Sequence, residues 1–315
     1  MVFSNKNSIT IDALNKEKNE FIIKDSIGIT IGRIFIIEFI SMSKYCSMRL
    51  KFYKKSNNSR IQLKKVLKKI TKYAFEYKKI NKVNIIVDEN MDTIPFLDLG
   101  FYLEGIISNS IILNNVYKDE LMFGTDYYNE SSSNITRNVV LSSKNLELKV
   151  LTPSKAEEVL NYYINNKEHL KYFEPSRDED FYTLESQKKN LIESYKQFLN
   201  GVSVNFGIYK DKKFIGKVQL SNIVMGSFKN AFIGYSIDKF EQGKGYMKEA
   251  VKLVLNYAFN EIGLHRIEAS TLVDNIKSQK VLLGCGFKKI GLNKRYLFIN
   301  GKWRDHITFY NTVDK

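Results

Sequence analysis

A faint internal repeat constrains this chain more than any other feature. Ile31-Gly32-Arg33 recurs as Ile215-Gly216-Lys217, and Tyr73-Ala74-Phe75 recurs as Tyr257-Ala258-Phe259, both 184 residues later. Leu99-Gly100-Phe101 recurs as Cys285-Gly286-Phe287, 186 residues later. A near-constant offset across three separated matches points to one structural unit used twice. Between the copies, the polar stretch Asn129-Glu130-Ser131-Ser132-Ser133-Asn134 interrupts the apolar periodicity and reads as a linker. The expected organisation is a domain over residues 1–128, a linker over 129–145 and a second domain over 146–315.

Composition narrows the class. With 43% hydrophobic residues and three prolines in 315, the chain can build packed cores, which excludes disordered and fibrous classes. Cys46 and Cys285 are far apart and the three histidines are scattered, so neither a disulfide scaffold nor a metal site is expected. The apolar run Ile27 to Ile40 is broken by Arg33 and Glu38, short of the roughly 20 residues a bilayer span needs. Its polar start carries no leader pattern, so no membrane partner and a cytoplasmic location are expected. The formal charge of +15 suggests a polyanionic partner. Its densest part, Lys51 to Lys82, holds twelve basic residues and one acid, Glu76. There Leu63, Val66, Leu67, Ile70, Ala74 and Tyr77 form one helical stripe, and Lys64, Lys65, Lys68, Lys69 and Lys72 cover the remainder. That is the pattern of a solvated helix, and a nucleic-acid partner is disfavoured.

In the second half, Leu146 to Val150 alternates as a strand, a helix starts at Pro153 with Thr152 or Ser154 as cap, and Phe181 to Leu199 reads as another helix. Strands follow at Val204 to Tyr209, Phe214 to Ile223 and Ala231 to Ile237. A helix is expected from about Gly245 to Glu261, then a strand at His265 to Leu272 and a helix at Asn275 to Cys285. Strands near Phe287 to Gly291 and Ile307 to Tyr310 complete an α/β (α+β) fold with a mixed sheet. Gly243 and Gly245 join strand to helix; glycines let a ligand approach the backbone, and a helix start offers free N–H groups to an anion. An ordinary strand-turn-helix would use the same glycines.

The company this loop keeps is more specific. Gln242-Gly-Lys-Gly-Tyr-Met247, Leu264-His-Arg-Ile-Glu-Ala269, Asn275-x-x-Ser278, Gly286-Phe287 and Gly301-Lys-Trp-Arg-Asp305 occur in that order. Together they resemble the GNAT acetyltransferase superfamily, in its RimJ/RimL branch of ribosomal-protein N-acetyltransferases, over residues 146 to 312. The resemblance implies acetyl-CoA as co-substrate and a primary amine, on a peptide N-terminus or a small molecule, as acceptor. It implies that the backbone of Ser236, Ile237 and Asp238 pairs with the pantetheine arm. It places the pyrophosphate on Gln242, Gly243, Lys244, Gly245, Tyr246 and Met247, with Lys248 adding charge. Asn275 would contact the cofactor and Ser278 the leaving thiolate. The Ile237 N–H would receive the developing oxyanion. Met247 departs from the small residue the family has there. The family's glutamate before the Asn-Gly turn is also missing, since Tyr296-Leu-Phe-Ile-Asn-Gly301 holds no carboxylate. Glu268 is the first substitute base, with Glu174, His265, Asp305 or a water relay as others. Glu174, Tyr235 and Trp303 would line the substrate cleft. Each residue also has a plain reading: Glu268 as a salt-bridged strand residue, Tyr235 and Trp303 as packing, His265 and His306 as structural, Cys285 as a small buried filler.

Aligned on the repeat, Asn58-Ser-Arg-Ile-Gln-Leu63 stands opposite Gln242 to Met247, and no glycine survives. About 30 residues precede Gly32, whereas some 70 separate residue 146 from Gly216. The first half therefore reads as a truncated, non-catalytic GNAT-like copy, serving to pack against the active half, extend its groove or make homodimer contacts. A non-catalytic CoA-binding or protein-interaction module remains the competing reading of the whole.

Overall fold

The computed structural model describes residues 9–15, 19–53, 59–113, 115–127 and 139–313. The proposed linker up to residue 138, Asn58, the Lys54–Lys55 pair and the first eight residues lie outside them. The chain divides into two compact units, Met1–Thr136 and Arg137–Lys315.

The first unit runs β1 (Thr10–Asn15), β2 (Glu20–Lys24), β3 (Thr30–Ile40), β4 (Tyr45–Phe52), α1 (Ser59–Lys72), β5 (Lys82–Asp88), α2 (Ile94–Leu97), β6 (Tyr102–Leu113) and β7 (Val116–Asp126). Its sheet has the order β1-β2-β3-β4-β5-β7-β6, antiparallel except where β4 meets β5. Helix α1 buries Leu63, Val66, Leu67 and Ile70 and turns most of its lysines outward, as its apolar spacing requires.

The second unit runs β8 (Val140–Ser142), β9 (Glu147–Val150), α3 (Ala156–Leu170), α4 (Leu184–Leu199), β10 (Val204–Lys210), β11 (Lys213–Val224), β12 (Asn230–Ile237), α5 (Tyr246–Asn256), β13 (Arg266–Leu272), α6 (Ile276–Leu283), β14 (Lys288–Ile299) and β15 (Lys302–Thr312). Its order, β8-β9-β10-β11-β12-β13-β15-β14, repeats that of the first unit with one strand added at the edge, and its one parallel contact is β12 with β13.

The repeat extends to single hydrogen bonds. The Tyr53 N–H donates to Ile31 O at 2.9 Å and the Asp238 N–H to Ile215 O at 2.8 Å. Each helix before the parallel crossover ends in a wide π turn at the shared Tyr-Ala-Phe, closed by Ile80 N–H to Ala74 O and Leu264 N–H to Ala258 O, both 2.9 Å. Gly32 and Gly216 recur because a Cβ there would lie 2.6 Å from Lys51 O and 2.5 Å from Ser236 O. In the last hairpin of each unit, Asp119 and Asp305 accept the N–H of Asn109 and Arg295, both at 2.8 Å.

Alternation along the central strands of the second unit gives each sheet face its own partner. Ala231, Ile233, Ile267 and Ala269 pack on the α5 side with Ala250, Val251 and Val254. The opposite face receives α3 and α4, whose own cluster includes Leu151, Val159, Tyr162, Tyr163, Leu170 and Leu191. Several elements differ from their expected bounds. The stretch from Phe181 is a short 3₁₀ turn, Glu179–Tyr182, followed by α4, because the Thr183 side chain accepts from Ser186 N–H and starts the helix there. Neither Thr152 nor Ser154 caps α3; their hydroxyls bond each other at 2.8 Å, and a 3₁₀ turn, Pro153–Lys155, leads in. The last two strands are longer than expected, forming one hairpin turned at Asn300-Gly301, both at positive φ.

Candidate active site

The site begins where β12 and β13 part. Their parallel pairing has three rungs, Asn230–Arg266, Ala231–Ile267 and Phe232–Glu268, after which the strands diverge. Because Asp238 N–H is bonded to Ile215 O and Ser236 pairs with Lys217, ladder alternation turns the N–H groups of Tyr235 and Ile237 away from β11 and into that gap. This corrects the expectation for the backbone. Of Ser236, Ile237 and Asp238, Ile237 alone directs its N–H to the opening, since the other two serve the β11 ladder.

At the mouth of the gap, the chain turns through Gly243 (φ +78°) and Gly245 (φ +86°) into α5. Gly245 is the cap residue and has no side chain to offer the first N–H groups of the helix; among the described residues no other side chain accepts from them, and the first bond back is Glu249 N–H to Gly245 O at 3.2 Å. Nothing lies within 4 Å of where a Cβ would stand on either glycine. The one acid of the first turn, Glu249, is drawn off by Ser143 Oγ and by Asn145, whose Nδ2 lies at 3.1 Å. Met247, the departure from the family's small residue, sends its side chain into the core, leaving its backbone to the loop. Lys244 and Lys248 are exposed beside it, with Lys244 paired to Glu241 at 2.9 Å.

Three elements converge on Gln242. Lys277 donates to its Oε1 at 2.9 Å, which fixes the amide and sets its nitrogen against His169 Nε2, at the end of α3. His169 must then offer a lone pair, and burial, followed by the Lys277 charge, holds its pKa below the usual histidine value. Neither residue was singled out from the sequence; His169 had no motif around it, while Lys277 lay unmarked inside Asn275-x-x-Ser278.

On the α5–α6 side, Asn275 caps α6 by accepting from Ser278 N–H at 3.1 Å, leaving its amide nitrogen without a protein partner among the described residues. Ser278 Oγ lies 3.0 Å from Tyr235 OH. Burial raises the Tyr235 phenol well above its ordinary pKa, so the hydroxyl keeps its proton. Tyr235 thus belongs with Ser278 and the core rather than with the acceptor cleft where the sequence reading set it.

The opposite, α3-facing side carries Phe232, Gly234 and Ser236 from β12 and Arg266, Glu268 and Ser270 from β13. Glu268 stands at the last rung, its Oε1 2.6 Å from Arg266 Nε, and Arg266 lies over the Tyr310 ring at 4.3 Å. The plain salt-bridge reading of Glu268 and its position at the gap therefore coexist. Glu174, just after α3, is paired to Arg177 at 2.6 Å. Tyr162 donates to Ser236 Oγ at 2.9 Å. Trp303 does not join this group: it is 60% exposed on the β14–β15 hairpin beyond the end of β13, edge-on to Phe298. Asp305 holds the hairpin bulge, His306 is buried against Tyr296, and His265 is exposed at the start of β13. Cys285 is buried filler, its Sγ 3.5 Å from Lys248 O. Among the described residues no cluster of His, Cys, Asp or Glu could hold a metal, and no helix is long and apolar enough to cross a membrane.

Comparison with known proteins matches the second unit to acetyltransferases. Residues 145–288 match the family model of the acetyltransferase (GNAT) domain. The probable N-acetyltransferase YjcK of Bacillus subtilis (strain 168) is 40% identical over 169 residues, 53% of this chain and 93% of that protein. The [ribosomal protein uS5]-alanine N-acetyltransferase of Escherichia coli (strain K12) is 34% identical over 177 residues, 56% of this chain and 91% of that one. The structure of Mycobacterium smegmatis RimJ in complex with CoA-disulfide superposes with a TM-score of 0.53 at 28% identity, covering 56% of this chain and 86% of that one. Each relative leaves more than two-fifths of this chain unmatched. With a family model on the second unit and a 40%-identical N-acetyltransferase matched over almost its whole length, this chain belongs to the GNAT family of N-acetyltransferases, in its RimJ/RimL-like branch.

Proposed function

We propose that the second unit transfers an acetyl group from acetyl-CoA to a primary amine, on a protein N-terminus or a small molecule, by direct attack of the amine on the thioester. The observation that carries this reading is the three-rung gap, with the Ile237 N–H turned into it beside the uncapped start of α5. Acetyl-CoA supplies the activated acyl group. The loop fits its pyrophosphate: the open space over Gly243 and Gly245, the unpaired N–H groups of the first helical turn and the flanking Lys244, Lys248 and Lys277 favour a dianion. Asn275 offers its amide nitrogen to the same ligand.

In the transfer, a C–N bond forms and the C–S bond breaks. Ile237 N–H stabilises the charge that develops on the carbonyl oxygen, a preorganised donor that need not be reoriented. Glu268, on the acceptor side of the gap, takes the proton the amine loses, directly or through water. Ser278 donates to the departing sulfur and is backed by the Tyr235 hydroxyl. The first unit is a degenerate, non-catalytic copy, a reading supported by its different gap and loop. The test is thiol release from acetyl-CoA over a panel of Ala- and Ser-initiated peptides, polyamines and aminoglycosides. Turnover that falls with Glu268→Gln and Ser278→Ala supports the proposal, and acetyl-CoA binding without turnover on any amine overturns it in favour of a binding module.

A further inference from the structure

Beneath α3, the acceptor face holds a cation with no carboxylate of its own. Lys217 lies on β11 beside Ser236, and its Nζ donates to the Tyr163 hydroxyl. Part of the side chain stays accessible, while the ammonium is enclosed by protein. Among the described residues no carboxylate lies within 4.0 Å of it, and its one direct partner is the Tyr163 hydroxyl. Glu174, whose charge favours the ammonium, is committed to Arg177 at 2.6 Å, and Arg177 is stacked on Phe181 at 4.0 Å and faces the Tyr163 ring at 5.1 Å. Of the other acids on this face, Glu268 is bonded to Arg266 at 2.6 Å, and Asp238 accepts from Asn166 Nδ2 at 3.0 Å and from Phe240 N–H at 2.9 Å. Two cations therefore share one carboxylate around Tyr163. Burial opposes the Lys217 charge, but Tyr163 and Glu174 outweigh it, so the pKa stands above the ordinary lysine value and the group is an ammonium. Enclosed charges are normally paired, because an unpaired one forfeits its hydration.

Two positions say where the missing anion would come from. Ser236, the register neighbour of Lys217, directly precedes Ile237, whose N–H marks the reacting carbonyl. Gly234, one alternation back on the same face, is exposed with nothing within 4 Å of its missing side chain. An acceptor lying over Gly234 has Glu268 to one side of it and Lys217 to the other. The Ile237 and Lys217 Cα atoms sit on adjacent strands about 6 Å apart, so the ammonium reaches groups within one or two residues of the reacting amine. We propose that Lys217 determines acceptor specificity by binding a carboxylate placed within one or two residues of the acceptor's amine. This rests on the transferase reading for the identity of the groove, and its test is separable from it.

The experiment is calorimetric titration of the CoA-saturated full chain with two matched pairs. One is a six-residue peptide amide beginning Ala-Asp against its Ala-Asn counterpart; the other is alanine against alaninamide. The charged member of at least one pair should bind about tenfold tighter, the worth of one charge-assisted contact. A preference confined to the peptides assigns a side-chain carboxylate, and one confined to alanine assigns the α-carboxylate. Lys217→Met should erase the preference without changing CoA affinity, and Lys217→Arg should keep most of it. Equal affinities within both pairs for the unaltered protein overturn the proposal, as does a Lys217→Met protein that retains the preference or weakens both members alike. Thiol release measured alongside separates the two readings: a carboxylate preference without any turnover supports the Lys217 site and counts against the transferase alone.

Discussion

The two units share a strand order but part their central strands at different places. In the second, β12 and β13 pair for three rungs; in the first, β4 and β5 pair for five, up to Arg49–Ile86. The two extra rungs close backbone that the second unit leaves open. Where the second unit has the exposed Gly234, the first has Arg49, on the corresponding rung with β3. Arg49 reaches Glu120 with two bonds, 2.7 and 2.8 Å, and Glu120 is 1% exposed. A charged pair thus fills the position over which the second unit keeps a groove. At the helix start both units pair the aligned cation, Arg60 with Asp92 at 2.7 Å and Lys244 with Glu241 at 2.9 Å, and the difference is the glycine pair that the first unit lacks. The first unit thus fills with Arg49 and Glu120 the position that the second leaves open over Gly234, so repeating a topology does not repeat a surface.

The comparison can be broken most forcefully by moving the stopper. Gly234→Arg should lower kcat/KM for amines by about a hundredfold or more by displacing the acceptor, while leaving acetyl-CoA affinity within about twofold in calorimetry. An unaffected rate would separate the open groove from activity. Next in size, Gly245→Val should weaken acetyl-CoA about a hundredfold, because a branched side chain is strained at φ +86° and occupies the space over the loop. Ile61→Gly, at the aligned position of the first unit, should create no second binding event, since the two extra β4–β5 rungs and the Arg49–Glu120 pair still close the gap.

Glu268→Gln should reduce kcat by about a hundredfold with little change in acetyl-CoA affinity, in the range of a lost general base. If the rate holds, Glu268 is the salt-bridge residue its Arg266 contact also describes. Gly32→Ala and Gly216→Ala should each cost about 1–3 kcal/mol in denaturant unfolding, from the same clash with a neighbouring carbonyl. Unequal costs would show that the two ladders differ in slack.

The smallest effect concerns His169. Its folded pKa is lowered from 6.5, so the unfolded chain binds the proton first, and stability falls as pH drops through 6.5 toward the folded value. His169→Gln should flatten that slope in thermal unfolding, and an unchanged slope would place the proton elsewhere.

Much of this was legible beforehand because it is local. The alternation of β11 and β12, the glycine pair before α5, the Asn-to-Ser spacing on α6 and the repeat offset are all written in neighbouring residues. Gly32 and Gly216 announce themselves in both copies because a strand crossing allows no Cβ there. What could not be read is what separate strands and helices bring together. Tyr235 sits two residues from Ile237, yet its ring faces Ser278, because strand alternation is known only once the faces are assigned. The Lys217–Tyr163 contact joins residues 54 apart, and Gln242 meets His169 across 73.

The sequence alone determined that one α/β unit occurs twice and that its second copy carries a glycine loop leading into a helix start, since these depend on backbone conformation that glycine, capping residues and periodicity encode locally. Tertiary structure alone decided which N–H faces the gap, how far the central strands stay paired and that Lys217 meets the Tyr163 hydroxyl rather than a carboxylate among the described residues. Those are properties of register and enclosure: a one-residue change in pairing redirects every backbone group, and a charge costs or contributes according to what surrounds it in space.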